Sequence, residues 1–349
     1  MGFGSPKWAV TNRTDGSATS PQPLGEFGRI RRFFAPLATT PGALGLTDDA
    51  AILDLAPDRQ FVVTTDALVE GVHFLSADPP GLIARKALRT NLSDLAAKAA
   101  QPAGYLLTLA LPRSRDDAWV EAFAAGLALD QAEFSIPLLG GDSVSTDGPV
   151  TISITAWGVV DRGKAVLRSG ARPGDLVLVS GTIGDAALGL LAATWRLEEL
   201  APAETAWLAD RYRLPQPRVD LGVALGPFVH AMMDVSDGLV ADLCHLAAAS
   251  GVDAVIESAR LPLSAAAAAA IADHPELFTS CLAGGDDYEL LFTASAADVG
   301  AIEMVAQSVG IAVTVVGRIS AQQTQQSRVR VIDADGETVD VPEPGWRHF

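Results

Sequence analysis

The sequence predicts an α/β chain of two domains, and three observations carry that reading. Its 349 residues are about twice an ordinary domain length. Short runs rich in Val, Ile and Thr alternate with Ala- and Leu-rich stretches of helical period. A turn-rich link near residues 161–164 separates two such series. The expected division is therefore residues 25–163 and 164–349. Residues 1–24, rich in Gly, Ser, Thr and Pro, are expected as a disordered leader without an apolar signal segment.

In the first series, residues 25–34 read as a short basic helix. Two aspartates, Asp48 and Asp49, precede the apolar residues 52–55. Paired carboxylates repel unless a cation lies between them, although Asp is also a common turn former. Residues 61–74, FVVTTDALVEGVHF, open as a strand and are expected to break at Thr64, Thr65 and Asp66. A carboxylate past a buried strand end is costly without a positive partner, and hydroxyls beside it add ligands of the kind hard cations take. Residues 81–100 read as a helix stopped by Gln101 and Pro102, with Asn91 and Asp94 on one side. Residues 105–111 read as a strand and 116–133 as a helix. Residues 137–139 form an apolar run ending in a Gly140, Gly141, Asp142, Ser143 turn, where glycine lets backbone N–H groups approach an anion. Residues 150–160 alternate as a further strand.

The second series opens with a strand at 176–180 and an Ala-rich helix after Asp185. Residues 219–228 read as a helix. A strand at 231–235 runs into Asp234, Val235, Ser236, Asp237 and Gly238, and Asp237 is expected to cap the helix at 239–249. Residues 254–257 read as a strand and 261–273 as a helix. Gly284 and Gly285 then precede Asp286 and Asp287 ahead of another strand. A helix at 297–309 and strands at 312–319 and 329–332 follow, and Trp346 stands near the end as packing or as a stacking platform for a flat ring.

Composition narrows the function. Hydrophobic residues make up 49% and aromatics 6%, enough for a sizeable aliphatic core. A net charge of −17 disfavours nucleic acid and anionic membrane as partners. The two cysteines, Cys244 and Cys281, have no metal-like spacing, so no disulfide framework or zinc site is expected, and the cytoplasm is the expected compartment. Neither a Gly-Lys-Ser/Thr phosphate loop nor a GxGxxG fingerprint occurs. The acidic turns remain: Asp48 with Asp49, Asp66, Asp94, Asp142, Asp234 with Asp237, and Asp286 with Asp287. Convergent carboxylates call for several divalent cations, and Mg²⁺ completes its shell with phosphates, which points to phosphoryl transfer from a nucleotide.

Eight segments in order carry a resemblance: TDDAA (47–51), TTDALVEGVHF (64–74), NLSDLAAKAAQP (91–102), GGDS (140–143), RSGARPGD (168–175), DVSDGL (234–239), GGDDYEL (284–290) and GW (345–346). The chain resembles the thiamine-monophosphate kinases, in the superfamily of aminoimidazole ribonucleotide synthetase and selenophosphate synthetase. The resemblance implies ATP-dependent phosphorylation of thiamine phosphate to thiamine diphosphate, the last step of that biosynthesis. It implies Mg²⁺ ligation by Asp49, Thr64, Thr65, Asp66, Asp94, Asp142, Asp234 and Asp237. It implies nucleotide contacts from Gly141, Asp142, Arg168 and Ser236, and substrate contacts from His73, Asp286 and Trp346. The implied fold is a pair of α/β domains, with the N-terminal domains of a homodimer sharing a β-barrel. The family usually has Gly at the position of Thr47 and Glu at the position of Asp286.

The acceptor is a phosphate monoester with a second pKa of about 6, so it is already largely ionised at neutral pH. Direct in-line transfer with no nucleophilic side chain is therefore expected, with metal ions reducing the repulsion between two polyanions. Rival activities are an amide cyclisation by a sister enzyme, selenophosphate synthesis, hydrogenase maturation, and non-catalytic nucleotide binding. Selenophosphate synthesis lacks its N-terminal reactive Cys here, and the maturation relative's C-terminal Cys is replaced by His348 and Phe349. The many acidic residues argue against a regulator.

Overall fold

The computed structural model describes residues 26–46, 55–194, 196–197, 200–324, 328–342 and 345–346. The expected leader and the Thr47, Asp48, Asp49 turn lie outside the described residues. A one-turn helix, α1 (Glu26–Arg29), runs into tight turns that bury Phe33, Phe34 and Leu37. Four strands then form one sheet: β1 (Arg59–Val69), β2 (Gln101–Pro112), β3 (Leu138–Thr146) and β4 (Thr151–Asp161). Their order is β1-β4-β2-β3, so β1 and β3 are the two edges. Helices α2 (Pro80–Ala97) and α3 (Asp117–Phe134) belong to this half.

The second half is a seven-stranded mixed sheet of order β11-β10-β7-β9-β5-β8-β6. Its strands are β5 (Leu176–Ser180), β6 (Ala231–Asp234), β7 (Val252–Glu257), β8 (Leu290–Ala294), β9 (Val313–Ala321), β10 (Val329–Ile332) and β11 (Thr338–Val339). Its helices are α4 (Asp185–Ala193), α5 (Pro202–Arg213), α6 (Val219–Leu225), α7 (Leu239–Ser250), α8 (Ala265–Asp273), α9 (Leu277–Ala283) and α10 (Val299–Ser308).

Helix α2 is central because it is buried nearly all round. Leu88, Leu92, Leu95 and Ala96 are fully buried, and the helix packs on β1 and β4 of one sheet and on β6, β8 and α6 of the other half. A helix buried on every side must pair its polar groups. Arg89 does so through a two-pronged ion pair with the fully buried Asp130 of α3, at 2.8 and 2.9 Å, and a third bond to Pro215 O.

Three expectations need correction. The strand does not break at Thr64, because β1 pairs with β4 from Arg59 through Val69, so Asp66 lies within the strand. Its even positions, Val62, Thr64, Asp66 and Leu68, turn toward α2, and its odd positions turn to the opposite face. Residues 140–143 are likewise strand rather than turn. Gly141 is needed there for β2–β3 pairing, since a Cβ would sit 1.9 Å from Leu107 O. Helix α2 ends at Ala97, before Gln101 and Pro102, which already belong to β2. Helices α5 and α9 and the short β11 were not anticipated.

Candidate functional site

The carboxylates meet where β1, α2 and β6 adjoin. Thr64 Oγ1 donates to Asp94, and Ser93 Oγ donates to Asp234 at 2.7 Å. Burial and the Asp94 charge raise the Asp66 carboxyl from 3.8 to about 6, partly offset by a Thr90 hydroxyl. Burial, then Asp94, Asp242 and Asp66, raises Asp234 as well. The cation beside them is Lys98 at the end of α2. Its Nζ donates to Met232 O at 3.0 Å, and burial lowers it to about 8 against the pull of Asp234 and Asp94. Arg168 is close enough to push the Lys98 proton off further.

Divalent cations fit this donor set. Asp66 and Asp234 are both pushed up by burial and by the Asp94 charge, and Mg²⁺ would offset that crowding of negative charge. Among the described residues, no group of three or more His, Cys, Asp or Glu side chains closes round one point.

The second junction, β6 to α7, departs from the expected capping. Asp237 does not cap α7. Asp242 reaches back from the first turn instead, and its Oδ2 accepts from the N–H groups of Ser236, Asp237 and Gly238 at 3.0, 3.1 and 3.2 Å. Asp237 and Ser236 are thereby left lining a cavity. The Gly284–Gly285 turn packs against this loop, and a Cβ on Gly285 would lie 2.2 Å from Ser236 O. Asp286 N–H and Tyr288 N–H donate to Ser236 O and Val235 O at 2.9 and 2.8 Å.

The two carboxylates after that turn separate. Asp287 is buried, and its oxygens accept from Gly184 N–H at 2.6 Å and Ala186 N–H at 3.1 Å, so it satisfies the start of α4 rather than pairing with a neighbouring cation. Asp286 turns to the cavity. Glu289, fully buried, receives Arg211, Arg218 and Ser180 Oγ.

The cavity is about 980 Å³. Its lining includes Asp66, His73, Lys86, Tyr212, Ser236, Asp237, Gly285, Asp286 and Trp346. His73 is oriented by Val69 N–H, which donates to Nδ1 at 3.0 Å. Trp346 is held against the second junction by its own N–H to Asp237 O at 2.9 Å.

The structure therefore brings Thr64, Asp66, Asp94, Asp234, Asp237, Ser236, His73, Asp286 and Trp346 to one region, with Arg168 at its margin. Two expected residues do not turn into it. Thr65 bonds Thr155 Oγ1 and Ile154 O on the opposite sheet face, although its position borders the cavity. Asp142 is on β3, three strands or roughly 14 Å from β1. Its register opposite Thr108 puts it with Gly141 at the exposed far edge. Asp49 lies outside the described residues. Sequence reasoning missed Lys86, Lys98, Tyr212 and Asp242. Lys86 and Lys98 sit on a helix whose period reads as plain core, and Tyr212 belongs to the unanticipated α5.

The family comparisons match this architecture. Residues 47–160 match the AIR synthase related protein, N-terminal domain, and residues 172–330 match its C-terminal domain. The chain thus has the mixed α/β fold of AIR synthase related proteins. It is 44% identical over 338 residues to the thiamine-monophosphate kinase of Caulobacter vibrioides, covering 96% of this chain and 94% of that one. Against the thiamine-monophosphate kinase of Escherichia coli K12 it is 37% identical over 93% of this chain and 98% of that one. The crystal structure of thiamine-monophosphate kinase from Stenotrophomonas maltophilia K279a aligns with a TM-score of 0.78 at 40% identity, covering 90% and 98% of the two chains. AaThiL complexed with AMPPCP and TMP aligns at 0.73 and 33%, covering 95% and 100%. The chain belongs to the thiamine-monophosphate kinase family, and it is an enzyme of the kinase class.

Proposed function

We propose that this protein transfers the terminal phosphoryl group of ATP directly to thiamine phosphate, giving thiamine diphosphate and ADP. The observation that carries the reading is one cavity bordered by Asp66, Asp237 and Asp286 together with the aromatic side chains of Tyr212, Tyr288 and Trp346, where Asp66 is repelled by Asp94 and in turn repels the buried Asp234. The proposed Mg²⁺ ligands are Asp49, Thr64, Thr65, Asp66, Asp94, Asp142, Asp234 and Asp237. When bound, the ions would neutralise the phosphates and orient donor and acceptor oxygens in line.

The chain's own groups do the rest. Gly141, Asp142, Arg168 and Ser236 are assigned to the nucleotide. His73, Asp286 and Trp346 are assigned to the acceptor, with Trp346 offering a ring face to a flat cation. No side chain need take the acceptor's proton or carry the phosphoryl group. The division at residue 163 makes 25–163 the ATP- and Mg²⁺-binding and dimerisation domain, with Arg168 and Ser236 of residues 164–349 completing the nucleotide side and His73 of the first half reaching the acceptor.

The proposal includes a homodimer. The four-stranded sheet is covered by helices on one face, while Phe61, Val63, Leu106 and Val144 stand exposed on the other. Among the described residues the sheet has two unpaired edges, and with its apolar free face it is suited to closure into a barrel with a second copy. Such closure sets β3 of one copy beside β1 of the other, a route by which Asp142 joins the site. Among the described residues no helix is long and apolar enough to cross a membrane, and a cytoplasmic location is proposed.

The test is incubation of the protein with ATP, Mg²⁺ and thiamine phosphate, with chromatography for thiamine diphosphate and ADP. Free thiamine serves as the control acceptor. Equal amounts of both products are expected. ATP binding without thiamine diphosphate would overturn the assignment of the acceptor.

A further inference from the structure

We propose that Lys86 is a positioning residue for the acceptor, acting by fixing the Asp286 carboxylate. This inference rests on the phosphotransferase reading above and names a residue that reading leaves unused.

Lys86 lies on α2 and is 2% exposed, yet it borders the cavity. A buried amine is costly unless paired. Its Nζ has two partners from the other half of the molecule, Asp286 Oδ2 at 2.8 Å and the Tyr212 ring, whose centroid is 3.8 Å away. One contact is an ion pair and the other is a cation–π contact. The pair spans 200 positions of sequence and ties the central helix to the strained turn that carries Asp286.

That turn is unusual. Asp286 has φ +71° and Tyr288 has φ +51°, two non-glycine residues in the left-handed region. Such a backbone conformation is strained for a residue with a Cβ and persists only where its surroundings determine it. The backbone bonds to Ser236 and Val235 fix the main chain, and the Tyr288 hydroxyl donates to Asp286 Oδ1 at 3.2 Å. Burial, with Asp286 beside it, holds the Tyr288 phenol well above its usual range, so it remains a donor. Both carboxylate oxygens are thus held, one by Lys86 and one by Tyr288, and the residue lines the cavity. An aspartate is one methylene shorter than a glutamate and sweeps less space, so its usefulness to a ligand depends on being held in place.

Lys86 itself is not set to grip the acceptor phosphate. Its Nζ is already shared between a carboxylate and a ring, and its side chain is almost wholly enclosed. A flat organic cation meeting Asp286 and the aromatic groups is the chemistry this arrangement recognises.

The test is a double-mutant cycle of K86M and D286N, read as KM for each substrate and kcat. K86M should raise the KM for thiamine phosphate about tenfold to a hundredfold, the range of a lost charged hydrogen bond, with the KM for ATP unchanged. In the D286N background K86M should add less than about threefold, because coupled residues are not additive. An unchanged acceptor KM, an equal rise in the KM for ATP, or fully multiplicative effects would overturn the proposal. Where K86M fails to melt cooperatively, Y288F replaces it: a raised acceptor KM alone supports the proposal, and an unchanged one overturns it. Wild-type turnover separates the two readings. No product from the wild type refutes the activity, whereas product with an unaltered K86M profile refutes only the role of Lys86.

Discussion

Replacing Asp66 by Asn should stabilise the metal-free protein while abolishing turnover. Asp66 is partly buried in β1 facing α2, and its carboxyl is raised from 3.8 to about 6 by burial first and the Asp94 charge second. The folded chain therefore binds this proton more tightly than the unfolded chain. Stability falls as pH rises from about 4 through 6, and the loss is complete above that. The difference corresponds to about 3 kcal/mol. Asparagine has no charge to bury, so D66N should exceed the wild type by up to about 3 kcal/mol at pH 8 with a chelator present, and by little at pH 4. In a melting experiment that is several degrees. Mg²⁺ with a non-hydrolysable nucleotide should reverse the order, because a ligand that binds only the folded state stabilises by mass action and D66N offers it less. Equal stability of the two proteins at pH 8, or a gain of the same size at pH 4 and pH 8, would refute the reasoning.

Two further outcomes follow from the geometry. D130A should cost about 3 kcal/mol in denaturant unfolding, because the buried Arg89 loses both of its Asp130 bonds, keeping only its bonds to Glu133 and Pro215 O, and Arg85 loses its Asp130 bond as well. V63E should shift the protein from dimer to monomer in sedimentation and reduce kcat, since Val63 is 63% exposed on the uncovered sheet face at its β1 edge; an unchanged mass with full activity would remove the dimer from the proposed mechanism.

Most strands and the fold class were legible because alternation is a local signal. The stretch 176–180 has the same bounds in sequence and structure, as does 329–332. The errors share one cause. Thr64, Asp66, Gly141 and Asp142 contain turn-forming residues, and a polar or glycine-rich segment reads as a break when its partner strand is unknown. Eleven residues of β1 pair with β4, and that pairing outweighs local preference. Asp237 was expected as a cap on position alone. Only the fold shows that Asp242, one turn into α7, holds the N–H groups of Ser236, Asp237 and Gly238 and leaves the Asp237 side chain to the cavity. Asp286 and Asp287 are identical neighbours in sequence. Their divergence into a cavity wall and a helix cap depends on where α4 starts, which lies about a hundred positions earlier.

Helix α2 explains why the candidate site is one site rather than two. Ser93 bonds Asp234, Asp94 accepts from Thr64, Lys98 reaches Met232 O, and Lys86 reaches Asp286. Four of its side chains thus cross to β1, β6 and the loop before β8, while its apolar faces fill the space between the two sheets. A shift of this helix would move the carboxylates and the Lys86–Asp286 pair together. On the proposed reading, donor and acceptor ends of the cavity are then held in register by one rigid element, the condition that in-line transfer between two polyanions requires.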